Sequence, residues 1–236
     1  MDTPKTAMIL AAGRGTRMGR LTEDRPKPLL EVAGQPIIDH ILARLHAAGV
    51  ERVVVNLHHK GDLLRQHLAG DRQPAIRFSD ESDLLLETGG GIARALALLG
   101  EDPFLAVNGD VIWRDGLRPS LAALAARFDP AEMDALLLLQ PTVKARAYGG
   151  PGDFAMAPDG RLRRRGEQAV APFVFTGVQL LSPRLFDGCP DGAFSINLLY
   201  DRAIDAGRLF GLRHDGDWVE MNAPDGLQAA TDLLAD

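Results

Sequence analysis

Short apolar runs alternate with longer amphipathic ones through the first 140 residues of this chain. Residues 7–10, 52–56, 75–79, 104–108 and 135–140 read as strands, and 37–48, 61–69, 90–99 and 119–128 as helices between them. Strand–helix alternation predicts right-handed crossovers and an α/β architecture with a mostly parallel sheet flanked by helices. Ligands of such sheets sit beyond the carboxyl ends of the strands. The residues following Leu10, Asn56, Ser79 and Asn108 are therefore the first places to look for chemistry.

Beyond residue 140 the pattern changes. Residues 149–152 are loop-like, and 153–157 with 161–163 frame the turn Pro158-Asp159-Gly160 as a small hairpin. Residues 173–181 and 209–213 read as further strands, a helix runs from a Ser195 cap to Ala206, and another helix closes the chain. No internal repeat or linker interrupts this order, so residues 1–236 are read as one domain with two lobes, 1–140 and 141–236.

Bulk properties narrow the class of partner. A formal net charge of -6 argues against nucleic acid and anionic membrane, so any site for an anion must concentrate its positive charge locally. The longest aliphatic run, residues 135–139, is far too short to cross a bilayer. The N-terminal apolar run leads straight into a glycine turn, which reads as a first strand and not a signal peptide. A single cysteine, Cys189, excludes an internal disulfide and suits a reducing, cytoplasmic setting.

Local positive charge does occur. Leu10-Ala11-Ala12-Gly13-Arg14-Gly15-Thr16-Arg17-Met18 follows the first strand directly, and Arg14, Arg17, Arg20, Arg25 and Lys27 crowd this stretch. Glycines allow close backbone approach, and successive amides can form an anion nest. Lys27 lies between Pro26 and Pro28, which restrict its backbone. Together these features suit a polyphosphate. The dinucleotide fingerprint fails because Gly19 comes one place late, and no P-loop G-K-[ST] occurs.

Asn108-Gly109-Asp110 ends the fourth strand, where a carboxylate beside a phosphate loop is placed to hold Mg²⁺. Leu86-Glu87-Thr88-Gly89-Gly90-Gly91 opens a helix, and its glycines would let a flat ring lie on the backbone. His58 and His59, adjacent on an extended segment, point to opposite faces and do not suggest a metal site. Arg161, Arg163, Arg164 and Arg165 read as a solvated hairpin face.

The segment L-A-A-G-x-G-T-R-M followed by P-K-P-L resembles the signature of sugar-1-phosphate nucleotidyltransferases. The resemblance implies a Rossmann-like mixed sheet of the nucleotide-diphospho-sugar transferase type, with a small hairpin-containing sugar-binding lobe. It implies a nucleotide site at Leu10, Ala11, Ala12, Gly13, Gly15, Thr16, Arg17, Lys27, Thr88, Gly89 and Asn108, with Arg17, Lys27 and Asp110 catalytic. It places the sugar near Asp110, Gly149, Asp153, Gly177 and Asn197. The family's second metal-binding Asp, in a W-x-D-x-G-T-P pattern, is matched here by Trp218-Val219-Glu220-Met221-Asn222-Ala223-Pro224. Glu220 then joins Asp110 on Mg²⁺, with Asn222 as an alternative oxygen donor. Gly19 and Arg20 also depart from the pattern, standing where many members have arginine and proline.

The stretches V-N-L-H-H, S-D-E-S, L-E-T-G-G-G-I and N-G-D-x-x-W are similar to the short uridylyltransferases acting on N-acetylmuramic acid 1-phosphate, and also to mannose-1-phosphate guanylyltransferase-like chains. The expected partners are a nucleoside triphosphate and a sugar 1-phosphate, acting on a monomer or homodimer. A phosphocholine-type cytidylyltransferase, or a catalytically weak nucleotide-sugar sensor, would share much of this pattern.

Overall fold

The computed structural model of the chain describes residues 1–167 and 169–235. Its strands and helices follow in chain order as β1 (Thr6–Leu10), β2 (Glu31–Val32), β3 (Gln35–Pro36), α1 (Ile37–Ala47), β4 (Arg52–Leu57), α2 (Gly61–His67), β5 (Ala75–Asp80), α3 (Glu87–Leu99), β6 (Phe104–Asn108), β7 (Val111–Arg114), α4 (Ser120–Arg127) and β8 (Ala135–Pro141). The second half adds β9 (Phe154–Met156), β10 (Leu162–Arg164), β11 (Phe173–Leu181), α5 (Asn197–Asp205), β12 (Leu209–Arg213), β13 (Asp217–Glu220) and α6 (Pro224–Ala235).

One nine-stranded sheet runs through both halves in the order β10-β9-β11-β6-β1-β4-β5, with β8 pairing β11 and β12. The β6-β1-β4-β5 block is parallel throughout. Strand β11 enters antiparallel against both β6 and β8, so the sheet is mixed and mostly parallel in the nucleotide lobe. The hairpin expected after residue 150 is β9–β10, pairing Leu162 with Met156 across the turn.

Alternation along the strands divides the core between the two faces of the sheet. Ala7, Ile9, Val53, Val55, Leu105 and Val107 join one cluster with Ile41 and Leu45 of α1, Leu64 of α2, Leu124 of α4 and Leu233 of α6. Met8, Val54, Phe104 and Ala106 join the other with Ile92 and Ala95 of α3 and Leu199 and Ala203 of α5. Both faces are therefore dry, which explains the near-continuous apolar runs of the parallel strands.

Short elements outside the main sheet shape its carboxyl edge. Strands β7 and β13 pair antiparallel, setting Glu220 opposite Val111 and Trp218 opposite Trp113. Two turns of 3₁₀ helix, at Thr16–Thr22 and Lys27–Leu29, fold the basic loop over the end of β1. None of these was expected from periodicity, because strands of four residues and single helical turns carry too few residues to show a period.

The arginine-rich hairpin keeps Arg161 and Arg163 exposed, as expected of a solvated face, and half-buries Arg164 and Arg165. Arg164 lies over the Phe154 and Tyr200 rings and donates to Asp201 at 2.7 Å, while Arg161 lies over Phe210. Both guanidinium groups are tied to the protein by their aromatic and carboxylate neighbours.

Candidate active site

The parallel strands β6, β1 and β4 end side by side, and a cleft of about 250 Å³ opens over their carboxyl ends. Leu10, Ala11, Ala12, Gly13, Lys27, Asn108 and Asp110 line it, together with Thr88. The sequence places these residues in distant segments; the parallel sheet brings them to one edge.

The glycine loop after β1 is held from within. Met18 is buried beneath it, and Thr22 donates its hydroxyl to the Gly15 carbonyl at 3.1 Å. Gly15 has φ 63°, and a β-carbon there would meet Thr22 Cγ2 at 3.1 Å and Lys27 Cβ at 3.3 Å. A side chain at that position would be strained in its backbone and crowded by the lysine it must sit beside.

Lys27 is the buried cation of the site, only 8% exposed. Its ammonium donates to Asp110 Oδ2 at 2.6 Å. The Asp110 carbonyl accepts from Met221 N–H at 2.9 Å, which ties the end of β13 to the start of β7 and sets Glu220 beside Asp110. The Glu220 carboxyl is pushed up to about 7, first by burial and then by the negative charge of Asp110, against the opposing pull of Lys27 and Arg17. Burial and the neighbouring charge of Asp110 both raise Glu220, and a divalent cation held by the two carboxylates would oppose both effects. Asp110 and Glu220 therefore fit Mg²⁺. Asn222 turns its amide oxygen to the Arg17 guanidinium at 2.8 Å.

Behind the cleft lies a buried relay. Asn56 Oδ1 accepts from Ala11 N–H at 2.7 Å, and Asn56 Nδ2 donates to Glu81 Oε1 at 2.7 Å. Glu81 Oε2 accepts from Leu86 N–H at 3.3 Å, and His58 Nδ1 bonds the Glu81 carbonyl at 2.7 Å. The Glu81 carboxyl is raised by burial, although its hydrogen bonds from Asn56 and Leu86 work the other way. Two side chains, Asn56 and Glu81, thus couple the glycine loop after β1 to the segment leading into α3.

The glycine run at the start of α3 has a different physical reason from a ring lying on its backbone. A β-carbon on Gly89 would strike the Phe194 ring at 2.3 Å, and one on Gly90 the Gly192 carbonyl at 2.2 Å. One on Gly91 would approach Glu81 Oε1 to 2.8 Å. Both Gly89 and Gly90 donate their N–H groups to the Phe194 carbonyl. The glycines let the segment around Phe194 and the buried Glu81 pack close, while Glu87 and Thr88 face the cleft.

Comparison with known proteins bears directly on this arrangement. Residues 7–146 match the MobA-like NTP transferase domain. An N-acetylmuramate alpha-1-phosphate uridylyltransferase of Caulobacter vibrioides is 44% identical, with the match covering 100% of this chain and 99% of the relative. The chain belongs to the sugar-1-phosphate nucleotidyltransferases. A protein of the same description from Neisseria meningitidis is 37% identical over 96% of this chain and 97% of its own. The transferase also superposes on a UDP-glucose pyrophosphorylase complexed with UDP-glucose, with TM-score 0.80, 16% identity and coverage of 98% of each chain; at that identity the likeness is one of fold.

In the transferase the residues expected on the sugar side fall into two groups. Gly177, at φ 79°, sits in a bulge of β11, where a β-carbon would press on the Asn108 side chain at 2.9 Å. Asp153 accepts from Phe175 N–H at 2.8 Å and lies within electrostatic reach of Tyr148 and Glu220. Asp153 and Tyr148, the residue before Gly149, thus lie on the Glu220 side of the cleft, and Gly177 lies against Asn108. Asn197 instead opens α5 and accepts from Arg164 at 3.0 Å. Asn56, Glu81 and Glu87 lie in stretches that the sequence singled out without giving them roles of their own, and Leu85 carried no signal.

No helix among the described residues is long and apolar enough to cross a membrane.

Proposed function

We propose that this transferase joins N-acetylmuramic acid 1-phosphate to UTP, forming UDP-N-acetylmuramic acid and releasing pyrophosphate, with Mg²⁺ as cofactor. The convergence of Lys27, Asp110 and Glu220 at the carboxyl edge of the sheet supports the chemistry. The two full-length relatives named for N-acetylmuramate alpha-1-phosphate support the choice of substrates.

An oxygen of the sugar phosphate attacks the α-phosphorus, the bond to the β-phosphate oxygen breaks, and the electron pair leaves with pyrophosphate. The attacking oxygen is already anionic, so no general base is required. Catalysis then consists of positioning and charge stabilisation. Arg17 holds the leaving pyrophosphate. Lys27 neutralises charge around the α-phosphate and sugar phosphate. Asp110 and Glu220 would hold Mg²⁺, which would supply positive charge to the reacting phosphates. The base and ribose rest along Leu10 to Gly13 and Thr88, and the sugar lies toward Asp153, Gly149 and Gly177. The low cysteine content suits a cytoplasmic site of action.

Pyrophosphate release measured over a panel of nucleoside triphosphates and sugar 1-phosphates tests the reading. Turnover highest with UTP and N-acetylmuramic acid 1-phosphate supports it. A clear preference for GTP with mannose 1-phosphate, or for CTP with phosphocholine, would replace the substrates. Nucleotide binding with no release on any pair would mark a sensor.

A further inference from the structure

The two cations assigned to the phosphates share one neutral acceptor. Asn222 Oδ1 accepts from the Arg17 guanidinium at 2.8 Å and lies 3.5 Å from the Lys27 ammonium. The backbone carrying this amide is fixed on both sides. Met221 N–H donates to the Asp110 carbonyl at 2.9 Å, and Gly226 N–H donates to the Ala223 carbonyl at 3.0 Å as α6 begins. Glu220, two residues earlier, is paired with Val111 across β13–β7.

Arg17 has little else to hold it. It is exposed, and it belongs to a short 3₁₀ segment broken by Gly19 at φ 55°. Without an acceptor its long side chain would sample many rotamers, and its charge would be repelled by Lys27. An oxygen contacted by an arginine from one side and a lysine from another is the environment a phosphate oxygen requires.

We propose that Asn222 is a positioning residue whose amide oxygen occupies the place of a pyrophosphate oxygen, keeping Arg17 and Lys27 convergent until the triphosphate displaces it. This rests on the phosphate roles given to Arg17 and Lys27 above. Neutrality is central to the device. An amide holds the cations by a charge–dipole hydrogen bond that an incoming anion outcompetes. A carboxylate in the same place would form ion pairs with both cations and repel the triphosphate. The Trp218 to Pro224 segment thereby contributes to triphosphate binding as well as to the metal site.

The test is pyrophosphate binding to the full-length protein by calorimetry in EDTA, which removes the metal from the measurement. It is paired with the steady-state KM for UTP in Mg²⁺. Asn222→Ala should weaken pyrophosphate about 5-fold, as expected for losing one organising hydrogen bond, and raise the KM for UTP similarly. The thermal midpoint should stay at its wild-type value. Asn222→Asp should weaken pyrophosphate more than Asn222→Ala does, even though it keeps an oxygen in place. Arg17→Ala and Lys27→Ala serve as controls. If both controls weaken pyrophosphate while both Asn222 variants bind it as wild type does, the positioning role is overturned and the phosphate site stands. Tighter pyrophosphate binding by Asn222→Ala overturns it too, since the amide would then only compete. If the controls bind normally, the phosphate reading itself falls.

Discussion

Lys27 Nζ and Asp110 Oδ2 stand 2.6 Å apart, although the two residues are 83 positions apart in the chain. The lysine arrives from a proline-framed 3₁₀ turn and the aspartate from the end of β6. Their side chains are 10% and 24% exposed, so the pair lies in a partly desolvated cleft where charge acts strongly. The group proposed to neutralise phosphate therefore rests, in the free protein, against the group proposed to hold the metal.

Asp110→Asn should leave the fold intact and lower kcat by at least about 100-fold, since even outer-shell partners of metal ligands cost up to about that much. The asparagine keeps the backbone bond to Met221 and an oxygen for Lys27. A thermal melt beside a pyrophosphate-release assay checks both halves; near-normal turnover in a folded variant would remove Asp110 from the site.

Arg17→Ala and Lys27→Ala should each lose about 2–4 kcal/mol of transition-state stabilisation, read from kcat/KM at subsaturating UTP. Lys27→Ala should be the worse of the two, because it also leaves Asp110 without its cation. Normal rates in both variants would sink the phosphate-loop assignment.

Glu220→Ala should lower turnover and raise the Mg²⁺ concentration needed for half-maximal rate, and Glu220→Asp should retain activity. The half-buried carboxyl sits beside Asp110 and is pushed up to about 7, so a bound cation would favour its charged form. A magnesium titration of the three proteins decides; an unchanged midpoint in Glu220→Ala would leave the ion to Asp110 and other groups.

Gly91→Ala should destabilise the fold by about 1–3 kcal/mol, the usual cost of overpacking. Its β-carbon would meet Glu81 Oε1 at 2.8 Å and Asn56 Nδ2 at 3.1 Å. Because Asn56 holds the Ala11 amide, the KM for UTP should rise as well. Urea unfolding with parallel kinetics tests this, and a wild-type urea midpoint would show that the relay can yield.

His214 should make stability fall with acid. Burial lowers its folded pKa below the ordinary 6.5, opposed by the Asp217 carbonyl and by the charges of Asp115, Asp215 and Asp217. Nδ1 meets the Ser120 hydroxyl at 3.1 Å and Nε2 the Asp217 carbonyl at 3.2 Å. The unfolded chain binds the extra proton, so this contribution is complete above about pH 6.5 and is lost as pH falls through the folded value. Glu220 and Glu81, with raised values, slope the other way, so the readout is the difference in Tm between wild type and His214→Gln from pH 5 to 7.5. A difference that does not narrow toward acid would contradict it.

The α/β class was legible because strands buried on both faces must be apolar throughout and their helices amphipathic. Both patterns survive in residues 1–140 without knowledge of the partners. The candidate phosphate loop stands out in the sequence for a similar reason: Gly13, Gly15, Arg17 and Lys27 lie within one short segment, and their chemistry is local. Glu220 was singled out as well, through the family pattern around Trp218, and it lies within electrostatic reach of Asp110.

What only tertiary structure decided is everything that depends on two segments meeting. The pairing of β13 with β7 is four residues long, too short for a period, yet it sets Glu220 beside Asp110. Glu81 reads in sequence as one acid among several. Only the parallel register of β4 and β5 carries it, through Asn56, to the Ala11 amide. The glycines before α3 signal close approach, but not that the approaching group is Phe194, because a missing side chain records that space is needed and not what fills it.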